Sequence, residues 1–281
     1  MEKVLILGSK GMLGGQLMKV FGNEAIGWDK EDTDVLDFEN LKSQIPNLKF
    51  KPTAIINCVA YNNVDGAEEN GKLAFELNAE AVKNLAKICK ELDIVLVHFS
   101  TNYVFDGEKG EYGESDIPNP QSAYAKSKYQ GELELAGNCD KFYLIRTAIL
   151  FGPKGQSDLS KKSFVDLMIE LSDKDSVIKA VQDEINSITY VKDLADRVKL
   201  IINDKKPFGV YHITNSGQAS WYDFAKEIFN ISGKKVELVP VSASEFPRKG
   251  QRPKKSVLLN TKLLPLRTWQ EALREYLTLN N

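Results

Sequence analysis

The sequence predicts an α/β protein: a doubly wound parallel sheet followed by a smaller carboxy-terminal α/β lobe. Three observations carry that expectation. From Val4 to Leu150, short apolar runs alternate with longer amphipathic segments, the pattern of parallel strands joined by helical crossovers. A glycine-rich turn stands directly behind the first apolar run. After Leu150 the alternation breaks at Gly152, Pro153, Gly155 and a polar stretch to Lys162, and the later segments are shorter and more mixed.

Strands are expected at Val4–Leu7, at a second run ending near Trp28, and at Ala54–Ala60, Ile94–Ser100 and Phe142–Leu150. Apart from the run ending near Trp28, these are near-continuous apolar runs, as a sheet covered on both faces requires. Leu13, Leu17, Val20 and Phe21 recur at helical spacing, as do Val82, Leu85, Ala86, Cys89 and Leu92, so both segments read as helices packed on the sheet. Residues 1–150 form the expected dinucleotide domain. Residues 151–281 supply most of a substrate lobe, with some segments returning to the first domain. Helices are expected there at Phe164–Leu171, Val191–Ile202, Trp221–Phe229 and Trp269–Leu277, and strands at Val210–Ile213 and Val236–Val239.

The glycine turn reads Gly8-Ser9-Lys10-Gly11-Met12-Leu13-Gly14 and opens a helix at about Met12. A strand must turn sharply, the backbone must approach a pyrophosphate, and the helix must pack on the strand; a Cβ obstructs each step. The anion then rests on unpaired N–H groups at the helix start. Gly8, Lys10, Gly11, Met12, Leu13 and Gly14 are thus the expected cradle of a nicotinamide dinucleotide in a Rossmann-type fold. Asp29, at the end of the second strand, suits the adenosine ribose hydroxyls. Lys10 and Lys30 flank it and counter the repulsion of a 2′-phosphate, which leaves NADPH and NADH both open. Asp37 is placed to read the adenine amino group or to serve as a solvated loop acid.

Composition narrows the function classes. At 42% hydrophobic and 27% charged, the chain resembles ordinary folded proteins and not disordered or fibrous ones. The 37 Lys+Arg against 39 Asp+Glu leave a formal net charge of −2, so no global basic field gathers nucleic acid or anionic lipid. Cys58, Cys89 and Cys139 lie far apart, without disulfide-scaffold density or metal-ligand spacing. No apolar stretch approaches a membrane span and the first is too short for a signal peptide, so a cytoplasmic protein is expected, with no metal.

Tyr124 and Lys128 are four residues apart, so on a helix they share one face. An adjacent ammonium favours phenolate and draws a tyrosine from its usual pKa of about 10 toward the working range, and the same lysine can hold the nicotinamide ribose. Thr101 ends the strand before them, where open parallel sheets bind ligands, and can present a hydroxyl to the substrate carbonyl that Tyr124 meets.

These residues resemble the dTDP-4-dehydrorhamnose reductase family of extended short-chain dehydrogenase/reductases. The likeness runs from Gly8–Gly14 through Asn57-Cys58-Val59-Ala60-Tyr61, Val64-Asp65-Gly66-Ala67-Glu68, Asn78, Ser100 to Gly107, Tyr124, Lys128, Gly131-Glu132 and Arg146-Thr147. It continues through Gly209 to His212, Ser220 to Ala225, and Arg252-Pro253 with Ser256. It implies reduction of a 4-keto group on a nucleotide-linked 6-deoxyhexose, with hydride from NADPH or NADH and a proton from Tyr124, assisted by Thr101 and Lys128. It also implies cofactor contacts at Ala60, Tyr61 and Asn78, and contacts to the nucleotide-diphosphate sugar at Thr101, Asn102, Tyr103, Ile149 and Arg252. Related dehydratases follow the threonine with an Asp–Glu pair; Asn102 and Tyr103 favour reduction.

Three positions depart from the family. Asn102 stands where an Asp is common, Ile149 where a sugar-packing tryptophan is common, and Asp183-Glu184 and Ile188-Thr189 where Asp-Gln and Pro-Thr are usual. The preferred sugar is therefore expected to differ. A nucleotide-sugar epimerase or reductase of other specificity, and a non-catalytic dinucleotide-binding regulatory subunit, are the alternatives; a homodimer is among the assemblies considered. The stretch Phe246–Ser256 holds Arg248, Lys249, Arg252, Lys254 and Lys255, of which Arg252 is assigned to the diphosphate. His98 and His212 read as satisfied structural histidines, and Trp221 and Phe224 as core.

Overall fold

The computed structural model describes residues 3–279. Six parallel strands form its main sheet: β1 (Val4–Leu7), β2 (Ala25–Trp28), β3 (Ala54–Asn57), β4 (Val95–Thr101), β5 (Phe142–Thr147) and β6 (Gly209–His212). They lie in the order β2-β1-β3-β4-β5-β6. The chain changes direction across the sheet at β1, which opens a crevice at the carboxyl ends of β1 and β3. Alternate side chains explain the long apolar runs. Val4, Ile6, Ala54 and Ile56 enter one buried cluster, while Leu5, Leu7 and Ile55 enter another on the opposite face.

Helix α1 (Met12–Phe21) covers the first face and α2 (Ala81–Leu92) the second. Along the chain follow α3 (Ala123–Asn138), α4 (Phe164–Ser172), α5 (Val191–Asn203), α6 (Trp221–Ser232) and α7 (Trp269–Leu279). Helix α5 packs on α1, and β6 extends the main sheet beside β5, so residues after 190 return to the first half of the molecule. Among the described residues three small sheets are added, of which the smallest pairs 150–151 with 189–190. A second pairs 177–181 with 237–241, and the third joins 219–220, 185–186, 255–258 and 110–112, the last supplied from before residue 150.

Two strand expectations change. The third strand stops at Asn57 and does not reach Ala60, because the Asn57 side chain accepts the Val59 N–H at 3.0 Å and turns the chain. The run Phe142–Leu150 is two strands. It ends at Thr147, Ile149 takes a left-handed φ of +32°, and Leu150–Phe151 pairs instead with Thr189–Tyr190. Continuous hydrophobicity hid the break, since both pieces are buried on at least one side.

Candidate active site

The dinucleotide end is built by close backbone approach. Gly8 has φ +74°, and a Cβ on Gly14 would lie 2.0 Å from the Gly8 carbonyl oxygen. Only glycine lets α1 start so close to β1. No side chain caps that start at Gly11, so the first N–H groups, Met12 and Leu13 among them, suit an anion. The half-buried Asp29 carboxylate accepts the backbone N–H groups of Lys10 and Lys30, each at 2.9 Å, beside the turn. Lys10 Nζ pairs with Glu31 at 2.9 Å, a bond that, with nearby Asp29 and Asp32, raises its pKa. These groups fit a dinucleotide.

Asp37 is exposed and caps the short helix 38–44 by accepting the Asn40 N–H at 3.0 Å. Asn78 sits fully buried in a π turn, Glu76–Glu80. Its amide accepts the Tyr61 N–H and donates to the Tyr61 carbonyl and Ser127 Oγ, all at 2.9 Å. It thus holds the Ala60–Tyr61 segment behind β3. Gly131 makes this possible: a Cβ there would lie 2.0 Å from the Asn78 carbonyl oxygen, so α3 can press against the π turn.

Thr101, Tyr124 and Lys128 meet at the carboxyl end of β4. Ser122 caps α3, accepting the Ala125 N–H, and so fixes the face that carries Tyr124 and Lys128. The Thr101 hydroxyl donates to Asn102 Oδ1 at 3.3 Å and accepts the Tyr103 N–H at 3.2 Å, and its side chain acts on the Tyr124 phenol. Burial pushes the Tyr124 pKa up to about 12, with Thr101 opposing, so the phenol keeps its proton at neutral pH. Lys128 is buried and donates from Nζ to the Phe99 carbonyl at 2.6 Å. Burial lowers its pKa to about 8, against the pull of Glu132.

The side of the crevice beyond Tyr124 is assembled from distant segments. The Tyr103 ring stands edge-on to Tyr124, centroids 6.3 Å apart. Burial, with the Glu184 carboxylate next in effect, raises the Tyr103 pKa to about 12, and Arg252 and Arg248 oppose. Arg248 binds both oxygens of buried Glu184, and Arg252 makes a two-pronged pair with Asp65. Asn102 is buried and turned toward the lobe, its amide donating to Asn186 Oδ1 at 2.8 Å and Ser256 Oγ at 2.6 Å. Ile149 is partly exposed and packs against the large core, its carbonyl accepting the Thr189 N–H at 3.0 Å.

The structure therefore gathers Thr101, Tyr103, Tyr124, Lys128 and Arg252, and Asp37 stands at a helix start. Asp65, Glu184 and Arg248 were not assigned to the site from the sequence. The available signal was charge matching: Asp65, Glu68 and Glu69 against the basic stretch Arg248–Lys255. A second unassigned feature supports α3 from behind. Glu132 accepts from Ser100 Oγ and from Arg146 Nε (3.0 Å) and Nη2 (2.7 Å), with both charged side chains about 95% buried; the side-chain exposures are 5% for Arg146 and 4% for Glu132. Arg146 also lies over the Phe105 ring, 5.1 Å from its centroid.

The histidines need correction. His98 shares a 3.2 Å bond between its Nδ1 and the Asn57 amide, and His212 Nδ1 meets the Tyr112 and Leu259 carbonyls, but both Nε2 atoms are buried without a partner. Burial drives both pKa values down, so each is neutral. Phe224 is core, whereas Trp221 is half-buried against Phe164. Among the described residues no cluster of three or more His, Cys, Asp or Glu could hold a metal, and no helix is long and apolar enough to cross a membrane.

Comparison with known proteins adds an independent line. The family model of the RmlD substrate binding domain matches residues 1–280. A dTDP-4-dehydrorhamnose reductase of Aggregatibacter actinomycetemcomitans is 34% identical, with 98% of each chain covered. Among solved structures, a dTDP-4-dehydrorhamnose reductase of Clostridium acetobutylicum superimposes with a TM-score of 0.92 at 38% identity, covering 99% of both chains. The Bacillus anthracis dTDP-4-dehydrorhamnose reductase, solved in complex with NADP, gives 0.93 at 34% identity over 99% of both chains.

Proposed function

The chain belongs to the RmlD substrate binding domain family, and from that premise we propose that it is an NAD(P)H-dependent reductase of the 4-keto group of a deoxysugar carried on a nucleoside diphosphate. In this reading residues 1–150, with the returning segments α5 and β6, bind the dinucleotide, and the remaining lobe binds the sugar nucleotide. The observation that carries it is the convergence of Thr101, Tyr124 and Lys128 at the carboxyl end of β4, one crevice away from the Gly8–Gly14 turn.

Gly8, Gly11, Met12, Leu13 and Gly14 would hold the pyrophosphate through backbone N–H groups, and Asp29 the adenosine ribose, with Ala60 and Tyr61 alongside and Asn78 fixing them. When bound, the reduced nicotinamide supplies hydride to the carbonyl carbon. Thr101 Oγ1 and the Tyr124 phenol orient the carbonyl oxygen. The Tyr124 O–H bond breaks and its proton passes to that oxygen, so the ketone becomes a secondary alcohol. Lys128, held by the Phe99 carbonyl, stabilises the phenolate left behind. Tyr103, Arg252 and the Glu184–Arg248 pair line the side where the sugar and its diphosphate enter. A buried lysine one helical turn from a protonated phenol has a use in proton transfer that a binding-only subunit lacks.

The direct test is oxidation of NADPH and NADH in the presence of a panel of dTDP- and UDP-linked 4-keto-6-deoxyhexoses, with the alcohol product identified by NMR. Consumption of reduced cofactor in equal amount to alcohol formed supports the assignment. No oxidation with any member of the panel rejects it.

A further inference from the structure

The carboxylate of Asp65 carries more hydrogen bonds than a surface acid needs. Its Oδ1 accepts the backbone N–H groups of Lys249 (2.8 Å) and Gly250 (2.9 Å) as well as Arg252 Nη1, and its Oδ2 accepts Arg252 Nη2 at 2.7 Å. These bonds hold the carboxyl well below the usual carboxylate range. Asp65 belongs to the short helix 64–69 behind β3, whereas its partners come from the lobe, more than 180 residues on. Neighbouring contacts run the same way. Lys249 pairs with Glu69, and Gly250 is buried against Val64, where a Cβ would lie 3.0 Å from both the Val64 side chain and its carbonyl oxygen.

The crossing segment flanks the reacting groups. Arg248 on it binds Glu184, and both arginines act on the Tyr103 phenol, which faces Tyr124. Helix 64–69 is itself tied to the catalytic helix, since Glu68 Oε1 accepts the Ala123 N–H at the start of α3 at 2.8 Å. Arg252 has its Nη atoms committed to Asp65 and the Gly250 carbonyl, which locks the guanidinium plane. Its Nε–H and a second Nη2 proton are left for an anion.

We propose that Asp65 is a positioning residue for the sugar nucleotide: it straps residues 248–252 across the cleft and aims Arg252 at the substrate's diphosphate, without touching the reacting atoms. The proposal deepens the reductase reading and rests on it. A carboxylate that orients an arginine lowers the entropy lost when that arginine meets phosphate. Removing its charge therefore weakens nucleotide binding and leaves hydride transfer in the saturated complex nearly as fast.

The test compares the full-length wild type with Asp65→Asn. Binding of dTDP and UDP is measured by calorimetry, NADPH binding separately, turnover on the 4-keto sugar, and tryptic cleavage at Lys249–Gly250 by mass spectrometry. The expected result is about tenfold weaker nucleoside diphosphate binding and a matching rise in KM, as for loss of charged hydrogen bonds. The kcat should change less than about twofold, NADPH affinity should hold, and cleavage should be faster. Arg252→Lys, which keeps the charge but not the two-pronged geometry, should weaken nucleotide binding similarly, and the double variant should fall short of the product of the two losses. If Asp65→Asn fails to fold, Arg252→Lys decides by the same readouts. Faster cleavage with unchanged nucleotide affinity overturns the proposal, as does a change in neither, additive losses in the double variant, or a wild type that binds neither nucleotide. A wild type that binds a nucleotide but turns over no sugar defeats the reductase reading, and the binding and cleavage arms still decide the role of Asp65.

Discussion

The two ends of the crevice are made in different ways. The dinucleotide end is backbone: a seven-residue turn whose geometry depends on Gly8 and Gly14 lying against each other, with Asp29 joined to it by main-chain N–H groups. The end proposed for the sugar is side chain: Asp65, Tyr103, Glu184, Arg248 and Arg252 come from four separate segments and depend on one another for charge balance. A local turn tolerates changes elsewhere but no Cβ in the wrong place. A long-range cluster tolerates modest size changes but no lost partner. The Thr101, Tyr124 and Lys128 group lies between the two, and its loss should stop the reaction while leaving each end able to bind its own ligand.

That comparison can be broken first at Tyr124. Tyr124→Phe is expected to lower turnover by roughly 10²–10⁴ with affinity for both ligands nearly intact, measured by steady-state kinetics beside binding titrations. Wild-type turnover in this variant would move the proton donor elsewhere. Next in size is the support behind α3. Glu132→Leu strands the buried Arg146 charge and should cost about 3–5 kcal/mol in urea unfolding; a change below about 1 kcal/mol would mean that Arg146 finds another partner.

The turn itself is probed by Gly14→Ala, whose added methyl meets the Gly8 carbonyl. We expect roughly 1–3 kcal/mol of lost NADPH affinity, the scale of overpacking, with nucleoside diphosphate binding unchanged. Equal damage to both ligands would erase the distinction between the two ends. A smaller effect is set by pH. Lys128 has its pKa lowered to about 8, so its ammonium is present below that value and is lost as pH rises through it. Keto reduction should therefore fall about fivefold from pH 8 to pH 9, a simple one-proton limb. A flat profile over that interval would show that bound cofactor restores the lysine to its ordinary range.

The smallest effect is expected at Ile149, a β-branched residue held at positive φ where the family resemblance implies a contact to the sugar. Ile149→Trp should lower KM for the 4-keto-6-deoxy sugar about threefold, the worth of an added ring face. A folded variant without kinetic change would leave Ile149 to the core, and one that loses stability would show the site to be already full.

What could be read from the amino acids alone was whatever is local. The strand–glycine–helix order at Leu7 to Met12, the alternation of apolar runs, and the Tyr124–Lys128 spacing each concern residues within one or two turns of each other, where sterics and periodicity act without the rest of the chain. Those readings led to the parallel sheet and to the Thr101, Tyr124 and Lys128 group proposed to react. Tertiary structure alone decided the break at Ile149, since hydrophobicity does not record which sheet Leu150 and Phe151 will join. It decided that Asn78 fastens Tyr61 and that Asn102 turns into the lobe, because an amide's direction depends on the partners folding brings within 3 Å. It also decided that the basic stretch Arg248–Arg252 is an ion-paired strap. Charge attracts over distance without regard to sequence separation, so the partner of Arg252 became visible only when the fold placed Asp65 against it.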